Sequence, residues 1–235
     1  MDAFRRHTRW IAIVSAAVVV LAVAAVAYPP SRHFIRSIIV RPPASPPQVR
    51  VTFVEGATLP EMAALVARSL PGVTEQDFLA AAKGQEGYLF PDTYFFQPGD
   101  TASAIVSRMR ADFDARVASL LPGVRASGHS LRDVVIMASI IEGEAKTPAD
   151  RRMVSGILWN RIAKGMRLQA DAAPETYAHA GLPAEPINEP GLDSLDAAVH
   201  PASTSFLYYL TGRDGLMHYA STYAGHQANL RKYLQ

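Results

Sequence analysis

Two acidic side chains, Glu142 and Glu144, lie at the end of a mostly apolar stretch, residues 131–145. Ser130 followed by Asp133 is a capping-box pattern, which predicts that a helix begins here. Apolar residues at helical spacing place Glu142 in line with a buried stripe, whereas Glu144 lies about 200° further round the helix. A buried carboxyl keeps its proton to higher pH, as a general acid near neutrality requires. The spacing therefore favours Glu142 as a single working acid. Two solvated glutamates at a frayed helix end are the alternative.

The composition argues against several other kinds of site. The chain has 235 residues, a formal net charge of +2 and no cysteine, which predicts neither nucleic-acid binding nor a disulfide or thiolate metal site. It contains no phosphate-binding glycine loop and no nucleophile elbow. Histidines in the C-terminal part lack the spacing of metal ligands, so we expect no metal and no cofactor. They are His179, His200, His218 and His226.

The N-terminal residues have the pattern of a membrane anchor. Residues 1–9 are basic, and residues 10–28 carry no charge and are bounded by Trp10 and Tyr28. A helix over 10–28 spans roughly 27 Å, close to the ~30 Å hydrocarbon core of a bilayer. The flanking arginines predict a cytoplasmic N-terminus, a single pass through the inner membrane and an exported, periplasmic remainder. A cleaved signal peptide is the alternative, because residues 25–27 form a small-residue cleavage pattern.

Two short segments precede the main domain. Residues 29–49 are rich in proline, which predicts an extended, semi-rigid connector. Residues 50–84 contain a short alternating strand and two helices that begin after Thr58 and Thr74. A unit of this size buries little apolar surface by itself. It is therefore either a small glycan-contacting module or the first lobe of the following domain.

Residues 85–235 are predicted to form a mainly helical domain with one β-hairpin, so the predicted fold class is α+β. Residues 85–96 are aromatic and predicted to be irregular, and Pro122 is predicted to separate two helices. The remaining elements are a helix over 101–120, a helix after Thr147, a short helix capped by Ser194, a hairpin at 206–210 and 216–219, and a last helix after Thr222.

Five separated motifs follow one another in this part of the chain. They are Glu86-Gly-Tyr-Leu-Phe-Pro-Asp-Thr-Tyr94, Ala138-Ser-Ile-Ile-Glu-Gly-Glu-Ala145, Asn160-Arg161 with Gly165-Met-Arg-Leu-Gln169, Gly181-Leu-Pro183 with Pro190-Gly191, and Ala197-Ala-Val-His-Pro201 with Phe206-Leu-Tyr-Tyr209. Their order and spacing resemble the MltG (YceG-like) endolytic murein transglycosylase family from about residue 50 to the C-terminus. Each motif alone is weak, but the ordered set is specific.

The resemblance implies a LysM-like module at residues 50–84 and a YceG-like transglycosylase domain at 85–235. It implies a membrane-anchored enzyme that cleaves nascent peptidoglycan strands between MurNAc and GlcNAc. Such cleavage leaves 1,6-anhydroMurNAc ends and terminates strand elongation, with peptidoglycan synthases as possible partners. Glu142, the first glutamate of its motif, is the implied catalytic residue. The candidate substrate-binding residues are Glu86, Tyr88, Asn160, Gln169, Tyr177 and Asn188.

The chain departs from the family pattern in three places. Gly143 stands where a lysine is common, and the region before the catalytic domain has room for one LysM-like module at most. After Asp171 a longer family loop is missing, so Glu175-Thr-Tyr177 stands where Asn-Thr-Tyr is usual. Because that loop should flank the cleft, two alternatives stay open. One is a non-catalytic peptidoglycan-binding scaffold for synthases, and the other is a glycan hydrolase that uses Glu142 with water.

Overall fold

The computed structural model describes residues 47–235 of the chain. The predicted cytoplasmic segment 1–9, the predicted membrane helix 10–28 and nearly all of the connector 29–49 lie outside these residues. Across 47–235, no helix is both long enough and apolar enough to cross a membrane.

The N-terminal lobe combines a two-stranded sheet with two short helices. Strand β1 (Val49–Thr52) pairs antiparallel with β2 (Thr93–Phe96), with Val49 opposite Phe96. Between them lie α1 (Leu59–Ser69) and α2 (Glu75–Ala81), each of which begins with a capping box at its predicted start. Their apolar faces and the inward residues of the strands form one hydrophobic cluster.

Helix α3 (Ala102–Val117) links this lobe to the rest of the protein. Ile105 and Met109 in its first half pack into the N-terminal cluster, whereas Phe113 and Val117 in its second half belong to a second, larger cluster. The N-terminal cluster thus crosses residue 84 and includes β2 and half of α3. The predicted domain boundary at residue 84 stays a prediction, and the packing is continuous across it.

The second cluster surrounds helix α5 (Leu131–Glu144). Ser130 and Asp133 form the predicted capping box, and every residue from Val134 to Ile141 is buried. Helices α4 (Leu121–Ser127), α6 (Pro148–Ala163) and α7 (Leu192–Val199) pack against α5. The predicted helix with its buried stripe is confirmed, and α5 is in fact buried on nearly all sides, which makes it the rigid centre of the domain.

A β-hairpin and a final helix complete the fold, which is of the predicted α+β class. Strand β3 (Tyr208–Thr211) pairs antiparallel with β4 (Met217–Ala220), and Tyr209 lies opposite Tyr219. Helix α8 (Tyr223–Tyr233) begins after its cap Thr222 and packs against both strands. The predicted hairpin and last helix are therefore confirmed.

Two local predictions are wrong, and one short helix was not predicted. Pro122 lies between α3 and α5 as predicted, but within helix α4, whose first turn has no use for the missing N–H of proline. Residues 93–96 form strand β2, since pairing with β1 organises an aromatic stretch that has no clear period of its own. Ser194 lies inside α7, whose N-cap is Gly191, and the buried Ser194 hydroxyl has no hydrogen-bond partner within residues 47–235.

Candidate active site

The two glutamates at the end of α5 have different surroundings. The Arg151 guanidinium donates to Oε1 of Glu142 at 2.7 Å, and the Gly191 backbone N–H donates to Oε2 at 2.9 Å. The Glu142 side chain is only 6% exposed. Gly56 packs beside it, since a Cβ added to this glycine would be in van der Waals contact with the Glu142 Cγ, at 3.5 Å. Both oxygens of Glu142 are thus bound by protein groups in a buried position.

Arg151 is the cation of a four-residue charge cluster. Its Nη2 lies 3.8 Å from Oε2 of Glu55, and its Nη1 lies 3.6 Å from Oδ2 of Asp193. Its Nε donates to the Ala145 carbonyl at 3.2 Å. Partial burial and the negative charge of Glu142 raise the pKa of Glu55. One guanidinium therefore connects the end of α5, the start of α6, the turn after β1 and the first turn of α7.

Glu189 is a second buried carboxyl that the sequence did not reveal. Its carboxylate accepts hydrogen bonds from the backbone N–H groups of Gly87 at 2.9 Å and Leu89 at 2.7 Å, and burial raises its pKa well above the usual range. Its own N–H donates to the Ala57 carbonyl, and its carbonyl accepts from the Gly56 N–H. Glu189 thereby joins three segments of the chain, a function that no local pattern could indicate.

Glu144 faces a cavity of about 470 Å³. The cavity lies between the end of α5, the turn at 169–177, strand β3 and helix α8. Its polar and aromatic lining includes Gln169, Asp171, Tyr177, Tyr209, Tyr223 and His226. Ring faces and polar groups in one concave surface are typical of sites that bind small polar molecules. Within residues 47–235, no group of His, Asp and Glu side chains is arranged to hold a metal ion.

Each oxygen of Glu144 has one hydrogen-bond donor. The Ala172 backbone N–H donates to Oε1 at 2.8 Å, and the Tyr209 hydroxyl donates to Oε2 at 3.0 Å. Neither donor is a cation, in contrast to the arginine on Glu142. A carboxyl with neutral partners on a cavity wall can exchange a proton with a bound molecule, which makes Glu144 the better placed acid of the two.

The shortened segment after Asp171 packs directly on the end of α5. A Cβ added to Gly143 would lie 2.6 Å from the Ala172 Cβ, which is closer than van der Waals contact allows. The glycine at position 143 therefore lets Ala172 approach and donate its N–H to Glu144. Two of the departures from the family pattern, Gly143 and the short segment, are thus one structural feature.

Two of the six predicted substrate-binding residues lie with Glu144 at the cavity. Gln169 has a positive φ of 48°, an uncommon left-handed conformation for a residue other than glycine. The Tyr177 ring is half exposed, and its hydroxyl donates to Asp171 at 2.6 Å, a bond that helps to raise the pKa of Tyr177 to about 12. These two residues occupy positions from which they can contact a ligand.

The other four predicted residues bind groups of the protein. Burial raises the pKa of Glu86, which accepts the Leu59 N–H at 3.3 Å. Tyr88 packs edge-to-face on Phe113, with ring centroids 5.1 Å apart. The side-chain amides of two asparagines donate to backbone carbonyls: Asn160 to Thr204 at 2.8 Å and Asn188 to Ser139 at 3.0 Å. None of the four lies in the lining of the cavity that Glu144 faces.

Replacement of Arg151 by Gln should lower the free energy of unfolding by about 3–5 kcal/mol, because it leaves the buried Glu142 carboxylate without its cation. The matched control is Arg152→Gln, which breaks the exposed ion pair with Asp196 and should cost about 0–1 kcal/mol. Urea denaturation of both variants gives the comparison. Equal losses would show that the Glu142 pair contributes no more than a surface pair.

Replacement of Gly143 by Ala should destabilise the fold by about 1–3 kcal/mol, because overpacking against Ala172 outweighs the gain in helix propensity of up to ~1 kcal/mol. The double change Gly143→Ala with Ala172→Gly removes the clashing methyl group. It should therefore recover part of the lost stability in thermal denaturation. A stable Gly143→Ala variant would contradict the close approach of Ala172.

Comparison with known proteins agrees with this architecture. The model of the YceG-like family matches residues 31–175 and 174–232. An endolytic murein transglycosylase of Bacillus subtilis is 31% identical in an alignment of 172 residues in length, which covers 63% of this chain and 48% of that protein. One of Streptococcus pneumoniae serotype 2 is 23% identical in an alignment of 177 residues in length, which covers 63% of this chain and 32% of that protein. The chain thus spans about half, or less, of the length of these curated relatives.

A solved structure shows the same fold. A putative YceG-like protein of Listeria monocytogenes superposes with a TM-score of 0.70 at 24% identity, covering 84% of this chain and 80% of that one. With the family match extending over most of the sequence, this chain belongs to the YceG-like family.

Proposed function

We propose that this protein is a peptidoglycan lytic transglycosylase. It cleaves nascent glycan strands between MurNAc and GlcNAc and leaves 1,6-anhydroMurNAc ends, which terminates strand elongation. Family membership and relatives named endolytic murein transglycosylases support this class. The observation that carries the proposal is the Glu144 carboxyl on the wall of a cavity lined by tyrosines.

Glu144 acts in two steps of the proposed reaction. Its carboxyl first gives its proton to the glycosidic oxygen, the bond from that oxygen to C1 of MurNAc breaks, and the GlcNAc hydroxyl leaves. The carboxylate then takes the proton of the MurNAc C6 hydroxyl as the C6 oxygen bonds to C1. No water is consumed, and Glu144 ends protonated as it began. One acid–base residue suffices because the nucleophile belongs to the substrate.

The contacts support Glu144 more strongly than Glu142 as the acid. Glu142 is buried and bound to Arg151 and Gly191, so a glycan oxygen could reach it only after this ion pair broke. Glu144 lines the cavity and has only neutral donors. The sequence-based choice of Glu142 stays a prediction, and we propose that Glu142 holds the end of α5 in place.

The residues around Glu144 are suited to hold sugar rings. Tyr177 and Tyr223 are exposed at the cavity and present ring faces on which the apolar face of a sugar can pack. Gln169 and Asp171 supply amide and carboxylate groups that can bind sugar hydroxyls. The N-terminal lobe, as the LysM-like module of the family resemblance, adds glycan contacts outside the cavity.

The test is digestion of uncrosslinked peptidoglycan strands with the full chain, followed by mass analysis of the products. A transglycosylase gives ends that are one water lighter than those of a hydrolase. We expect anhydro ends from the wild type and a loss of about 100-fold or more with Glu144→Gln. Glu142→Gln should keep a larger share of the activity in molecules that remain folded.

Other outcomes of this digestion would overturn the proposal. Hydrated ends would identify a hydrolase, and binding without any product would identify a scaffold that recruits synthases. Full activity of Glu144→Gln together with complete loss in a folded Glu142→Gln variant would return the catalytic role to Glu142.

We also propose that residues 10–28 anchor the protein in the inner membrane with the catalytic domain on the periplasmic side. The uncharged run and the preceding arginines support this location. In fractionated cells the full chain should sediment with membranes and resist carbonate extraction. A chain that begins at residue 29 should be released by the same treatment. Release of the intact full-length chain would contradict the anchor.

A further inference from the structure

The Tyr209 hydroxyl contacts Glu144 at the wall of the cavity. Tyr209 lies in strand β3, its ring packs against the helical core, and its hydroxyl donates to Oε2 of Glu144 at 3.0 Å. Burial and the negative charge of Glu144 raise the pKa of Tyr209 well above the usual range. The phenol therefore stays protonated and available as a hydrogen-bond donor at neutral pH.

The second oxygen of Glu144 has a partner of another kind. The Ala172 backbone N–H donates to Oε1, and an amide N–H can never act as an acceptor. The proton of an uncharged Glu144 therefore belongs on Oε2, beside Tyr209. The Tyr209 hydroxyl can donate to one lone pair of Oε2 while the acidic proton occupies another position on the same oxygen. The hydroxyl can also rotate and accept a hydrogen bond from that proton. Tyr209 is thus compatible with both protonation states of Glu144.

We propose that Tyr209 is a positioning residue, whose hydroxyl orients the Glu144 carboxyl so that its Oε2 exchanges the proton with the glycan. This inference rests on the proposed function. The hydroxyl acts on the reaction through its hydrogen bond to Glu144. It stabilises the carboxylate formed when the glycosidic oxygen takes the proton, because hydrogen bonds to charged groups are the stronger ones.

Other charged and titratable groups near Glu144 have partners of their own. In the turn, Tyr177 donates to Asp171. Arg161 of α6 donates to backbone carbonyls, one of them at Leu207. His226 of α8 lines the same cavity, and burial lowers its pKa, which favours the neutral form. Within residues 47–235, Tyr209 is the side chain that donates a hydrogen bond to Glu144. Removal of the Tyr209 hydroxyl therefore tests this one contact.

The hairpin supplies a matched control. Tyr219 lies directly opposite Tyr209 in the strand pairing, and its hydroxyl donates to a carboxylate oxygen of Asp150 at 2.6 Å. Tyr209→Phe and Tyr219→Phe each delete one tyrosine-to-carboxylate hydrogen bond from the same sheet and keep the ring. Only the first bond involves the proposed acid, and Tyr219 is not part of the lining of the cavity.

The experiment compares the full-length wild type with these two variants on uncrosslinked peptidoglycan strands, as rates of anhydro-end formation across pH. Tyr209→Phe should lower kcat about 10-fold or more with KM nearly unchanged. The alkaline limb of its pH–rate profile should move to higher pH, because loss of a donor to the carboxylate favours the protonated acid. Tyr219→Phe should keep the kcat and pH profile of the wild type, while melting temperatures show that both variants fold.

Several results would overturn the inference. Tyr209→Phe with wild-type kcat and pH profile would remove Tyr209 from the reaction and leave the proposed function intact. An equal loss of kcat in both variants, matched by equal losses in melting temperature, would make the effect structural. A rise in KM alone would make Tyr209 a binding residue. No anhydro ends from the wild type would refute the proposed function and this inference together.

Discussion

The ion pair between Arg151 and Glu142 is the constraint on which the arrangement of the site depends. A buried carboxylate needs a partner, and this partner comes from the first turn of the next helix, so the junction between α5 and α6 has one geometry. The same guanidinium lies near Glu55 and Asp193, and the Gly191 N–H completes the contacts of Glu142. Because a helix is rigid over two residues, fixing Glu142 on one side fixes the direction of Glu144 on the other.

The two glutamates of one motif therefore have different surroundings. Glu142 is bound to Arg151 and to the Gly191 N–H, and Glu144 faces the cavity with neutral donors on both oxygens. The short segment after Asp171 does not leave the site open. It packs on Gly143 and supplies the Ala172 N–H, so the missing family loop is replaced here by a close contact between a helix end and a tight turn.

Local sequence determined most of the elements. Capping boxes at Thr58, Thr74 and Ser130 mark the starts of three helices, and apolar spacing correctly indicated that α5 is buried. These signals are local, because a cap and its partner lie within one helical turn. The errors arose where a distant partner decides the structure. Residues 93–96 become a strand only by pairing with residues 49–52, and even the nearest pair, Thr52 and Thr93, is 41 residues apart in sequence.

For the site, the sequence alone identified the family motifs, the pair of glutamates, and Gln169 and Tyr177 as residues near them. Its choice of Glu142 over Glu144 stays a prediction, because helical period tells which side of α5 a residue faces but not what lies on that side. Tertiary structure placed Arg151 on one side and, on the other, Tyr209, which is 65 residues after Glu144 in the chain. Folding also assigned Glu86, Tyr88, Asn160 and Asn188 to contacts within the protein. Such assignments depend on long-range packing, for which a single sequence carries no local signal.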